Sequence, residues 1–520
     1  MKLASTADLK FLHHLQQVRS REFQIESGTY SVTLLVPLVF EVRVGACYNR
    51  FTDFENRVPV ACAATSPRAI MDDARSRCGV GDEGMMMHKT DVSWPPSLWA
   101  AITPSGPDLP ELAGAHEADV VVIGAGFTGL STALHLRDAG VDVAVVEAAE
   151  PGWGASGRNN GQVIPTLSRP DPDDIVAKHG AAGERFVALL RDSASTLFSV
   201  AARYGIDAEQ EQAGWVQPVH SPGRIKIAER RVRQWSKFGA PVELLSRDQT
   251  REMLGSDAWF GGFWNKTGGH INPLALARGL AHAALAQGVR IFARSPATGF
   301  ERKGERWVVK TAKGEIKARG LILATNAYSG EFEKSLAPKI AHEVMPVLSW
   351  QMATQPLSDN VRKTVIPGRQ AMSDTHGELY FARYDARNRL VTGGAVIGPG
   401  NKPERLKTIV AERLQRLWPQ IGPVAFDYVW NGYVGMTSDF LPRIHRLGPD
   451  AYGWTGCNGR AVALSIALGG ELSKAVRGVP EAELALPFTE PVPIVGHALL
   501  RRIAPLMLMV YRRRDAREMT

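Results

Sequence analysis

Residues 118–131, Ala-Asp-Val-Val-Val-Ile-Gly-Ala-Gly-Phe-Thr-Gly-Leu-Ser, decide the fold of this 520-residue chain. Residues 119–123 begin with one acid and continue as an unbroken apolar run, which suits a strand buried on both faces of a parallel sheet. Gly124, Gly126 and Gly129 follow at once; residues 130–139 then read as a helix that Gly140 stops. Residues 141–146 form a second strand, and Glu147 ends it. This is one complete βαβ unit, and G-x-G-x-x-G in that setting marks a dinucleotide site. Gly124 permits the tight turn, Gly126 lets backbone approach a pyrophosphate, and Gly129 lets helix and strand pack closely. The helix N-terminus offers unpaired N–H groups to phosphates. Glu147 stands where a ribose diol finds its hydrogen-bond acceptor.

The rest of the chain supplies the layers around this unit. Residues 273–287 read as a helix with Gly288 as its stop, and 289–293 as a strand. Residues 306–311 and 315–318 read as a hairpin, followed by a separate buried strand at 320–324. Strands thus occur both alternating with helices and in hairpins, which predicts mixed α/β layers. Residues 101–118 contain Pro104, Pro107 and Pro110 and read as a linker. Residues 1–88 show no sustained periodicity. They are expected to be either a poorly ordered extension or sequence upstream of a true start at Met85, Met86 or Met87.

Composition narrows the class. Apolar residues make up 44% and charged residues 22%, which excludes disordered, collagen-like and coiled-coil chains. Lys and Arg total 61 against 53 Asp and Glu, a mild excess of +8 that gives weak support to a nucleic-acid partner, and none is expected. Cys47, Cys62, Cys78 and Cys457 form no CxxC pair, so neither a disulfide framework nor a metal site is expected, and a cytoplasmic location is. The apolar runs at 32–40 and 503–510 are too short to span a bilayer. The second lies between arginine pairs and triplets, and reads as an amphipathic element on a membrane or on the protein's own surface.

Beyond the second strand, Trp153-Gly-Ala-Ser156-Gly157-Arg158-Asn159-Asn160-Gly161-Gln162 is a Gly-rich polar loop, suited to close backbone approach to a flat ligand. With 118–131 and Glu147, it resembles the FAD-dependent amine and amino-acid oxidase family, which includes D-amino-acid, glycine and sarcosine oxidases. Within that family the gamma-glutamylputrescine oxidoreductase branch is most similar. Gly268-Gly-His270-Ile-Asn-Pro273, Leu323-Ala-Thr-Asn326-Ala-Tyr328 and Tyr452-Gly-Trp-Thr-Gly456-Cys-Asn458-Gly459-Arg460 fall in the family's order. The resemblance covers roughly residues 92–515 of the chain.

The resemblance implies an α/β fold in which a Rossmann-type FAD-binding domain is interleaved with a mixed or antiparallel-sheet substrate domain, as in glutathione-reductase-like flavoproteins. The expected division is 1–88 extension, 89–117 linker, FAD-binding parts at 118–210, 268–340 and 430–480, substrate parts at 211–267 and 341–429, and a basic tail at 481–520. Expected FAD contacts are Gly124, Gly126, Phe127, Thr128, Gly129, Glu147, Ala148, Ser156, Gly157, Arg158, Asn159, Gly161, Gln162, Ala297, Ala324, Thr325, Gly456, Asn458, Gly459, Arg460 and Ala461. The helix after Arg460 would direct its positive end at the flavin pyrimidine. Relatives often carry Gly-His-Gly where this chain has Gly459-Arg460-Ala461. Covalent attachment in sarcosine-oxidase relatives uses a cysteine in the region matching 431–439, and that region has none here, so FAD is expected to be non-covalent. Cys457 is expected to be a packed loop residue.

The implied chemistry is oxidation of an amine or amino-acid C–N bond by hydride transfer to flavin N5, with O2 as the expected final acceptor. An alkyl ammonium has a pKa near that of Lys, about 10.4, so deprotonating it at pH 7 costs roughly 4–5 kcal/mol. The site must therefore favour the neutral amine. Arg383 and Tyr380 are candidates for holding a substrate carboxylate, against an ordinary ion pair for Arg383. His270 is a candidate base, against a turn residue before Pro273. Trp350 is a candidate pocket wall, and Lys402 a candidate lysine beside the flavin. Two further readings stay open: a dehydrogenase delivering electrons to a quinone or carrier through the basic 501–517 element, and a non-catalytic FAD-binding subunit.

Overall fold

The computed structural model describes residues 92–333, 336–396 and 401–519. The calls on 1–88, including Cys47, Cys62, Cys78, the 32–40 run and the methionine triplet, lie outside those residues.

Two eight-stranded sheets organise the described chain. In the first, Gly114–Ile123 lies at the centre, parallel to Val143–Val146 on one side and to Gly314–Leu323 on the other. Arg290–Phe292 extends the sheet beyond Val143–Val146, and Ala451–Thr455 with Arg443–Gly448 extends it beyond Gly314–Leu323. The helices Phe127–Asp138, Pro273–Ala286 and Val462–Val476 cover it, and residues 120–123 are at most 3% exposed. Burying such side chains stabilises by roughly 1.5–3 kcal/mol each. Their apolar run is therefore continuous rather than alternating.

The second sheet runs Phe426–Met436, Met345–Pro356, Arg389–Gly394, Phe381–Tyr384, Ala371–Ser373, Trp215–Pro218, Gly262–Asn265 and Val242–Leu245. Its pairs are antiparallel except that of Ala371–Ser373 with Trp215–Pro218. The chain crosses between the sheets repeatedly, so the expected interleaving is present. A boundary at 429/430 would cut through Phe426–Met436, which belongs wholly to the second sheet.

Two local expectations need correction. The hairpin strand and the buried strand expected at 315–318 and 320–324 are one strand, Gly314–Leu323. Its first half takes Arg306–Lys310 antiparallel and its second half takes Ala451–Thr455 parallel, so one strand serves two partners on the same edge. The linker is not a solvated tether: Leu98–Ile102 is a helix capped by Ser97, and Leu98 and Trp99 are fully buried. Apolar burial here outweighs the prolines, none of which lies inside the helix: Pro95 and Pro96 precede it, and Pro104, Pro107 and Pro110 follow it. The basic tail lies on the protein's own surface, one of the placements expected for it, through the helices His497–Ile503 and Met507–Met519. Among the described residues, no helix is long and apolar enough to cross a membrane.

Candidate active site

A cavity of about 720 Å³ opens between the Gly-rich turn, the loop after the second strand and the second sheet. That volume is within the range of small-molecule and cofactor sites. At one end lie Gly124, Gly126, Phe127, Thr128, Glu147 and Ala148. Gly124 has φ +106°, and a Cβ on Gly126 would stand 2.9 Å from Ser156 Oγ. Phe127–Asp138 has no N-cap side chain of its own. Ser156 Oγ instead accepts from the Phe127 N–H at 3.0 Å, leaving the remaining first-turn amides without intrahelical partners. Gly129 does not line the cavity; a Cβ there would meet Gly124 O at 1.9 Å. Its role is the close packing that holds the turn in place.

Glu147 accepts from the Ala125 N–H at 2.7 Å and the Ala149 N–H at 3.0 Å. Burial pushes its carboxyl up from the usual range, and the amides of Ala149, Ala125 and Ala148 pull it back. Each oxygen keeps acceptor capacity beyond those bonds.

The loop contributes the middle of the cavity. Asn159 braces it, donating to Ala155 O and Ser156 O and accepting from Gly161 N–H. Arg158 donates from Nε to Trp153 O, lies 4.2 Å from the Trp153 ring centroid, and leaves Nη2 sealed from water without a partner. Both polar atoms of Asn160 are likewise sealed and unpartnered, as are Gln162 Oε1 and Gln351 Oε1. Native proteins seldom leave such groups unsatisfied without a ligand or water to meet them. Together with the glycine cradle and Glu147, they fit a dinucleotide whose ring edge carries donors and acceptors. Ser156, Arg158, Asn159, Gly161, Gln162, Ala297, Ala324 and Thr325 all line this cavity, as expected. Gly157 and Gly456 pack behind it instead.

Asn458, Gly459, Arg460 and Ala461 close the cavity before the helix Val462–Val476. Asn458 braces Thr437 N–H and Gly456 O. Arg460 is 5% exposed, stacks 4.7 Å from the Trp215 ring and donates to Leu167 O. Burial, with Arg231 nearby, pushes its pKa well below the guanidinium range. Cys457 also lines the cavity.

The substrate-side expectations fare differently. Arg383 is 1% exposed and donates to three backbone carbonyls, those of Asn160, Tyr384 and Ile271. Its guanidinium lies over Trp99, and burial lowers its pKa to about 10. It joins the sheet to the flavin-loop region and does not line the cavity. Tyr380, just before the strand Phe381–Tyr384, stacks on His376 and Arg413 and does not line the cavity, whereas Phe381 does. His270 is buried against Arg369 O, with its pKa held well below normal by burial and Arg383. Trp350 does not line the cavity, while its neighbours Ser349 and Gln351 do. Lys402 starts a helix away from the cavity.

Sequence reading singled out Arg460 but missed the rest of the cationic end. Arg231 is 3% exposed, donates to Gln217 Oε1 at 2.6 Å and pairs with Asp171 at 2.9 Å. Arg230 pairs with the same carboxylate. Arg230, Arg231 and Arg460 all line the cavity, and the first two share the carboxylate of Asp171 behind it. Arg230 and Arg231 stand side by side in the helix Ile225–Lys237, where they read as an ordinary charged face, so no local signal marks them.

The fold and site define a dinucleotide-binding flavoprotein oxidoreductase. More particularly, the chain belongs to the family described as FAD dependent oxidoreductase, whose model matches residues 119–475. It is 32% identical over 385 residues to gamma-glutamylputrescine oxidoreductase of Escherichia coli (strain K12), covering 74% of this chain and 89% of that protein. It is 27% identical over 342 residues to the sarcosine oxidase subunit beta of Rhizobium meliloti (strain 1021), covering 63% and 76%. Among solved structures, glycine oxidase from Geobacillus kaustophilus superposes with TM-score 0.61 at 20% identity, covering 72% of this chain and 98% of that one. L-proline dehydrogenase from P. horikoshii gives TM-score 0.61 at 22% identity, covering 73% and 98%. The cofactor is FAD.

Proposed function

We propose that this enzyme oxidises the C–N bond of an amine or amino acid that also carries a carboxylate, using non-covalent FAD with O2 as final acceptor. One observation carries the substrate reading: the cavity that begins at the glycine turn continues to Arg230, Arg231 and Arg460, of which the first two share one carboxylate, Asp171, and the third donates to Leu167 O. That surplus of positive charge favours an anionic ligand group. The similarity to a gamma-glutamylputrescine oxidoreductase supports an amine donor.

FAD, when bound, supplies a hydride acceptor for the carbon next to nitrogen. Glu147 and the first-turn amides would hold its diol and diphosphate, and Asn160, Gln162 and Gln351 its ring edges. Phe381, Leu348 and Met436 give the cavity apolar wall that disfavours an ammonium over the neutral amine. The nearby arginines act in the same direction, so less of the deprotonation cost falls on the reaction.

An anaerobic flavin-bleaching screen tests this directly. Gamma-glutamylputrescine, sarcosine, glycine, D-amino acids and proline are compared with amines lacking a carboxylate. Bleaching faster with the carboxylate-bearing amines is the expected result. Equal rates with and without a carboxylate would refute the substrate class, and no bleaching by any amine would refute the reaction. Oxygen uptake with peroxide formation then separates O2 from a quinone or carrier as acceptor.

A further inference from the structure

The described chain exposes few large apolar side chains, and they are not scattered. Val492, Val495, Leu499, Ile503, Leu506 and Met509 are 41–69% exposed and lie within one 18-residue segment. Val347 and Leu348, 40% and 38% exposed, lie on the strand Met345–Pro356 against which His497–Ile503 packs. Leu244 is the remaining such residue. Scattered exposed apolar residues need no explanation, but a contiguous set marks an interaction surface.

The arginines around this segment divide into two groups. Arg501 pairs with Glu331, and Arg512 with Glu378, so these two hold the segment to the body. Arg502 and Arg513 are exposed; at roughly 100° per residue Arg502 shares the side of Leu499 within His497–Ile503, and Arg513 shares that of Met509 within Met507–Met519. The outward face therefore mixes apolar side chains with arginines, whose stems can lie along an apolar phase while their heads reach charge.

We propose that this face, built from Val492, Leu499, Ile503, Leu506 and Met509 with Arg502 and Arg513, docks on the surface of an anionic lipid bilayer. Charge complementarity favours lipid over a second copy of the chain. A two-fold pairing about this face would set its arginines against each other. An anionic headgroup layer meets them with opposite charge, and the acyl boundary takes the leucines and isoleucine. The segment lies in the surface plane rather than across the bilayer, consistent with its short helices. Val347 and Leu348 also line the cavity, so docking would bring the cavity mouth to the headgroup layer.

Co-sedimentation of the FAD-loaded full chain with vesicles tests this without any amine, so the outcome is independent of the substrate reading. Vesicles of phosphatidylcholine alone are compared with vesicles containing phosphatidylglycerol. Binding to the anionic vesicles, weakened by raised salt, is expected. Arg502→Gln with Arg513→Gln should weaken it roughly 30-fold. Leu499→Gln with Ile503→Gln should weaken it at least about tenfold. Unchanged flavin content and melting temperature show that these variants fold. Absence of vesicle binding by the native chain would overturn the proposal. So would equal binding by folded variants, or a concentration-dependent dimer that Leu499→Gln abolishes while vesicles are ignored.

Discussion

Gly129→Ala tests the central packing argument, because the side chain it introduces never enters the cavity. The new Cβ would stand 1.9 Å from Gly124 O, 3.1 Å from Gly124 C and 3.2 Å from Val122 Cγ1. The nearest of these is backbone, so no rotamer change relieves it. Restoring ordinary contact requires the helix to move from the turn by about 1 Å or more, and overpacking of this kind costs about 1–3 kcal/mol. The same shift lengthens any amide-to-phosphate bond from about 2.9 Å to nearly 4 Å, outside hydrogen-bond range. Two such charge-assisted bonds are worth roughly 3–6 kcal/mol, so FAD affinity should fall about a hundredfold or more. The assay is flavin absorbance per protein after dialysis, with titration of the apoprotein by FAD. Gly299→Ala is the control, since nothing lies within 4 Å of a Cβ there. If Gly129→Ala retained FAD within twofold of the native chain, the packing argument would be wrong.

Other substitutions separate the remaining roles. Glu147→Ala removes the acceptor of the Ala125 and Ala149 amides and should weaken FAD at least tenfold in the same titration. Arg383→Met should lower stability by about 3–5 kcal/mol in denaturant unfolding, because three buried carbonyls lose their donor. Any enzyme that folds should keep its KM, whereas a large KM rise would restore Arg383 to the substrate site. Arg231→Met should raise KM for a carboxylate-bearing amine far more than for an uncharged one. His220 is held at about 4, chiefly by burial and then by His376. The unfolded chain therefore binds the extra proton first as pH falls from about 6.5, so stability declines toward pH 4. His220→Gln should flatten that decline in melting temperature; an unchanged pH profile would count against it.

Much of the nucleotide half was written locally. The run at 119–123, the three glycines, Glu147 and the loop to Gln162 act over short sequence distances, where backbone freedom, helix ends and apolar periodicity are fixed by neighbours. Residue type alone therefore pointed to a dinucleotide and, through the loop, to FAD. The substrate half was legible only as strand-like runs. Arg383 and Tyr380 were the right residue types for holding a carboxylate, but tertiary packing sent the guanidinium to three carbonyls and the ring onto His376. Arg231 and Arg460 are 229 positions apart in number and meet across Asp171 and Trp215 only after the sheets are assembled. The proline-rich stretch looked like a tether until Trp99 found Trp430 and Asn159 O. Local chemistry determined which backbone conformations were available and what cofactor they suit. Which side chains share one cavity was decided by long-range pairing, because burial and register, not adjacency, choose the face each side chain presents.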